Sequence, residues 1–222
     1  MKNQIKITIA TVLFFITAIA DIYAVIAGDE VVEIYAKPML LTLLAVVYLV
    51  STKTPVFWYV FGLFCCCIGD VFLLFEGADF FTYGLASFLL GHLVYIKLTM
   101  GFLPEDLTAK MITSAIPFVV FFLVLMYLIY PNLGGMFVPV VVYGLTISTF
   151  GSAALLNYKG NKSTENLWLF IGALIFIGSD SLIALQKFYE PNELYGVAIM
   201  ITYILAQFLI CKSMIAKSAV SA

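Results

Sequence analysis

Met111 to Tyr130 reads MITSAIPFVVFFLVLMYLIY, twenty residues without a charged side chain. An α-helix needs about 20 apolar residues to cross the hydrocarbon of a bilayer. Working outward from this run, seven others follow the same pattern. The eight spans are about 5–27, 34–51, 56–76, 80–101, 111–130, 136–157, 166–187 and 194–215. A spanning segment must satisfy its backbone hydrogen bonds internally, and a helix does so within one segment. A transmembrane β-barrel would show short alternating segments instead of long unbroken runs. The expected fold is therefore all-α, a polytopic bundle of eight transmembrane helices. The connections are short, so residues 1–222 read as a single integral-membrane domain.

Composition supports this class and excludes others. Of 222 residues, 64% are apolar and 11% are charged, against roughly a quarter charged in soluble domains. Eleven lysines and thirteen acids cannot cover the surface of a soluble protein of this size. Net charge is −2 and arginine is absent, so no basic patch exists to meet nucleic acid. The cysteines are Cys65, Cys66, Cys67 and Cys211. Three in a row inside a span fit neither metal-ligand spacing nor a disulfide framework; they read as small thiols in the membrane. Lys2 and Lys6 before an apolar run, with Ala24 and Ala27 after it, imitate a signal peptide. The run is too long for an ordinary signal core and contains Asp21, so it reads as the first helix.

Lysine placement gives an orientation. With eight spans both termini share a side. That side collects Lys2, Lys6, Lys53, Lys97, Lys110, Lys159, Lys162, Lys212 and Lys217, while the other has Lys37 and Lys187. The expectation is a multi-pass protein of the plasma or bacterial inner membrane with both termini cytoplasmic. A weak internal echo is also visible. Ile68-Gly69-Asp70-Val71 in the third span resembles Ile177-Gly178-Ser179-Asp180 in the seventh. A four-helix duplication would produce such parallel repeats.

An ionisable residue inside a span is costly and suggests function. Asp21, Lys37, Asp70, His92 and Asp180 qualify. Asp70 and Asp180 each fall near the fifteenth residue of an outward-running span, roughly 20 Å from its inner end at 1.5 Å per residue. Asp21 lies a turn or less further out. Lys37 begins the second span on the outer side, and its stem reaches inward. Small residues accompany the acids: Gly62 and Cys66 before Asp70, Gly172, Ala173 and Ala184 around Asp180, and Gly84, Ser87 and Gly91 in the fourth span. Such stripes let helices pack closely, which turns the acids into the bundle. Structural roles compete with these readings. Asp21 beside a lysine also fits an ion pair that fixes helix register, and His92 also fits a packing histidine. Two carboxylates sharing a low-dielectric pocket do not both ionise easily. One then serves as acid while the other stabilises a cation or orients water, as in glycoside hydrolysis. A proton-coupled transporter or lipid flippase would use the same residues.

Five motifs in order resemble the YhhN-like family, the lysoplasmalogenases. They are Tyr35-Ala36-Lys37-Pro38, Gly69-Asp70-Val71-Phe72-Leu73-Leu74, the stretch Gly84 to Tyr95 ending Gly91-His92-Leu93-Val94-Tyr95, Gly178-Ser179-Asp180-Ser181-Leu182-Ile183-Ala184, and Thr202-Tyr203-Ile204-Leu205-Ala206-Gln207. Asp21 matches none of them. The resemblance implies hydrolysis of the vinyl ether of a lysoplasmalogen, giving a fatty aldehyde and glycerophospho-ethanolamine or -choline. It implies Asp70 and Asp180 as catalytic residues and Lys37, His92, Tyr95, Ser181, Tyr203 and Gln207 as substrate-binding residues. It implies no metal and no organic cofactor. The expected partners are the lysophospholipid substrate and membrane lipids. Vinyl ether hydrolysis begins with protonation of the alkene β-carbon, which suits a desolvated acid. Lys37, at the outer mouth, is expected to contact the headgroup phosphate or one of the acids.

Overall fold

The computed structural model describes residues 2–103 and 108–220. The eight α-helices are α1 (Lys2–Ala27), α2 (Glu30–Ser51), α3 (Phe57–Leu73), α4 (Ala78–Met100), α5 (Thr108–Ile129), α6 (Phe137–Gly160), α7 (Thr164–Phe188) and α8 (Glu193–Val220). Two 3₁₀ turns, Tyr130–Asn132 and Gly134–Met136, join α5 to α6. Among the described residues, seven helices are long and apolar enough to cross a membrane, and α3 is a shorter apolar helix. The chain is an integral-membrane helical bundle of eight helices, as its apolar runs require.

Helix ends follow local chemistry. Asp29 caps α2 by accepting from the Val32 amide at 3.1 Å, and Glu30 and Glu33 lie in the first turn. An acceptor and negative charges both suit a helix N-terminus. The cap starts α2 at Glu30, a turn before the apolar run expected from residue 34. Ser163 caps α7 in the same way, accepting from the Asn166 amide at 3.4 Å. α3 stops at Leu73, three residues before its expected end. The Leu74 and Phe75 amides bond three residues back, to Val71 and Phe72. Gly77 then takes φ +127°, a value that favours glycine. Asp70 therefore lies in the last turn of α3.

The chain divides into two compact units. One holds the chain up to Val94 together with the end of α8 from Cys211; the other runs from Tyr95 to Ile210. In the first unit α1 packs on α2, and α2 on α3. Tyr48 locks α2 in place: its hydroxyl accepts from the Val56 amide at 2.9 Å and lies 3.2 Å from Ser218 Oγ. α3 and α4 meet through small residues. A Cβ added at Gly91 would lie 2.8 Å from Cys66 Sγ and 3.3 Å from the Gly62 carbonyl oxygen. One added at Gly69 would lie 2.7 Å from the Phe88 ring.

In the second unit α5 packs on α6 and α6 on α7. Gly144 and Gly151 of α6 make room for Phe122 and Phe118 of α5. Pro117 sits inside α5. It has no amide hydrogen to give to the Thr113 carbonyl one turn back. Lys159 of α6 supplies the missing donor, with Nζ 3.1 Å from that carbonyl. Gly172 brings α7 against the backbone of α8 at Ala206 and Ile210.

Candidate active site

In the first unit, α1 contributes a buried stripe of Ala10, Phe14, Thr17, Ala18, Asp21 and Ala24. Asp21 is 0% exposed, and neither carboxylate oxygen has a hydrogen-bond partner among the described residues. The charges that act on it are Lys37 and Glu33 of α2. Lys37 makes an ion pair with Glu33, one turn before it, and is half-buried. Glu33 was not among the expected site residues. Its signal was present, because Glu four residues before Lys is the favoured orientation for a helical pair.

Asp70 is 4% exposed. One turn before it on α3, the Cys67 thiol donates to the Pro38 carbonyl, 3.5 Å away. Pro38 follows Lys37, so the α3 turn that leads into Asp70 packs beside the α2 turn that carries the lysine. Phe88 of α4 links two further features. Its ring covers Gly69, and its carbonyl oxygen accepts from Nδ1 of the fully buried His92 at 2.9 Å. A carbonyl can only accept, so Nδ1 carries the hydrogen.

In the second unit, three expected residues form a chain. Tyr95 donates its hydroxyl to Gln207 Oε1 at 3.1 Å, and Gln207 Nε2 donates to the Tyr203 hydroxyl at 3.4 Å. All three are buried, and Tyr203 packs edge-on to Phe176 with ring centroids 5.4 Å apart. Asp180 is half-buried on α7. Its Oδ2 accepts from the hydroxyl of Tyr143 on α6. Ser181 is buried and donates to the carbonyl of Ile177 in its own helix at 2.6 Å. Ser179 ties α7 to α8 by donating to the Ile199 carbonyl at 3.0 Å. Tyr143 was missed by the sequence reading. It stands 37 residues from Asp180, and only helix packing brings the two together. Among the described residues, no three His, Cys, Asp or Glu side chains gather into a group that could hold a metal ion.

Comparison with known proteins places these residues in a family. A model described as the YhhN family matches residues 32–214, most of the chain. The chain belongs to the YhhN family. The matched stretch contains Lys37, Asp70, His92, Tyr95, Tyr143, Asp180, Ser181, Tyr203 and Gln207, and it leaves out Asp21. Among curated relatives of this family member, lysoplasmalogenase TMEM86A of Bos taurus is 31% identical over 158 residues, covering 68% of this chain and 62% of the relative. TMEM86A of Homo sapiens is 32% identical over 156 residues, with the same two shares. The lysoplasmalogenase of Mycobacterium bovis is 29% identical over 157 residues, covering 69% of this chain and 58% of the relative. The chain thus spans about three fifths of the length of the curated relatives it matches. No solved structure matches it.

Proposed function

We propose that this protein is a lysoplasmalogenase, an integral-membrane hydrolase acting on ether bonds. It cleaves the vinyl ether of a lysoplasmalogen to a fatty aldehyde and a glycerophospho-ethanolamine or glycerophosphocholine. The observation that carries this reading is the family match over residues 32–214, which takes in every candidate side chain except Asp21. Relatives named lysoplasmalogenase at about 30% identity support it. So do buried polar side chains in helices that are otherwise apolar, where their retention is costly without a task.

The proposed chemistry uses Asp70 and Asp180 in complementary roles. A neutral carboxyl gives its proton to the β-carbon of the enol ether. The α-carbon becomes an oxocarbenium ion, stabilised by the carboxylate. Water adds to that carbon and returns a proton to the protein. The hemiacetal collapses to aldehyde and alcohol, so one water is consumed and both carboxyls return to their starting states. Lys37 gives up its ion pair with Glu33 to hold the headgroup phosphate. His92, Tyr95, Ser181, Tyr203 and Gln207 line the substrate's path, and no metal or organic cofactor takes part. The whole chain acts as one membrane domain. Both termini face the cytoplasm, and the site opens toward the outer leaflet.

The activity is tested with the detergent-purified chain. It should release aldehyde from lysoplasmalogen and not from a lysolipid whose chain is joined by a saturated ether. No aldehyde from either substrate refutes the proposed function.

A further inference from the structure

Asp180 is held at one oxygen. Oδ2 accepts from Tyr143, and among the described residues this hydroxyl is the sole hydrogen-bond partner of the carboxyl group. The neighbouring hydroxyls are engaged elsewhere, Ser179 with the Ile199 carbonyl and Ser181 with that of Ile177. Tyr143 itself is fixed. It is 8% exposed, and the next residue, Gly144, receives the Phe122 ring of α5. Two turns further along α6, Gly151 lies against Ile177 of α7, which pins α6 beside the Asp180 turn.

We propose that Tyr143 is the positioning residue of Asp180, anchoring Oδ2 and leaving Oδ1 to meet water or substrate. The inference rests on the hydrolase reading and names a residue that the motif comparison did not. The torsion at the end of an aspartate side chain is broad and roughly two-fold, so an unanchored carboxyl presents its oxygens interchangeably. A donor on one oxygen removes that equivalence. Aim matters because the reacting carbon is small and the reaction needs a near-attack geometry. A misplacement of about 1 Å can cost about 10²-fold in rate.

The test is Tyr143→Phe in the full chain, purified in detergent and assayed on lysoplasmalogen. The expected result is a fall in kcat of about 10²-fold with KM nearly unchanged and a displaced pH profile of kcat. Wild-type kcat with an unmoved profile in a folded variant overturns the proposal, as does a rise in KM alone. If Tyr143→Phe does not fold, a fluorinated tyrosine at 143 keeps the ring and alters only the donor. In that case kcat that follows donor strength supports positioning, and indifference overturns it. Failure of the hydrolase reading is recognised separately, because the wild-type protein would then release no aldehyde. The Tyr143–Asp180 bond can still be read by difference infrared spectroscopy of the carboxyl group in wild type and Tyr143→Phe.

Discussion

Replacing Gly91 by alanine adds one methyl group where α4 crosses α3. The new Cβ would lie 2.8 Å from Cys66 Sγ and 3.3 Å from the Gly62 carbonyl oxygen. Ordinary non-bonded contacts are about 3.5–4.0 Å, so the sulfur must retreat by about 0.7 Å. Cys66 is fully buried and cannot swing into open space, and the second obstacle is backbone. The helices must part, and overpacking of this kind costs about 1–3 kcal/mol. Thermal unfolding in detergent, followed by the fluorescence of Trp58 and Trp168, measures the loss. Cys66→Ala in the same chain removes the nearer obstacle and leaves Gly62, so the double variant should recover part of the loss. Gly91→Ala at wild-type stability would refute the close-packing argument. A double variant no better than Gly91→Ala would refute the assignment to Cys66. Aldehyde release should fall in the single variant as well, because the displaced turns carry His92 and lead into Asp70.

Lys37→Ala should raise KM for lysoplasmalogen with kcat nearly unchanged, the signature of lost substrate binding. Glu33→Gln, which releases the lysine from its ion pair, should lower KM. Asp21→Leu should leave activity near wild type, because Asp21 lies outside the family match, and should raise stability by about 1–3 kcal/mol, because an apolar side chain removes a buried unsatisfied polar group. Thermal unfolding and aldehyde release read both effects; loss of activity would move Asp21 into the site. For topology, single cysteines placed near Lys37 and Glu76 in a thiol-free background should react with an impermeant reagent on intact cells, while those near Lys53 and Lys162 should not. The reverse pattern would place the site in the cytoplasmic leaflet.

The helices were legible because an apolar run long enough to span hydrocarbon has few alternatives. Their ends were less so. Leu74 and Phe75 are as apolar as the helix before them, so hydropathy extended α3 beyond the point where Gly77 turns the chain. The start of α2 was set by the Asp29 cap, a polar signal that an apolar scan ignores. The small residues of α3 and α4 announced close packing, and Gly91 against Cys66 is its physical form. At the candidate site, the buried polar side chains stood out from their apolar surroundings, and Tyr203 and Gln207 stand four residues apart, the one-turn helical spacing at which they bond. Contacts between helices were hidden. Nothing local in α6 marks Tyr143 as the partner of Asp180, and nothing near Pro117 tells that Lys159 will serve the carbonyl the proline leaves unpaired.

The central claim is that two carboxyl groups in the membrane cleave a vinyl ether. Its most direct test is aldehyde release by purified Asp70→Asn and Asp180→Asn beside the wild-type protein, with each variant shown to unfold cooperatively. Asparagine keeps the shape of the side chain and removes its ability to give or take the required proton. The account predicts steady aldehyde release by the wild type and none above background from either variant. Turnover near the wild-type rate in either one would contradict it.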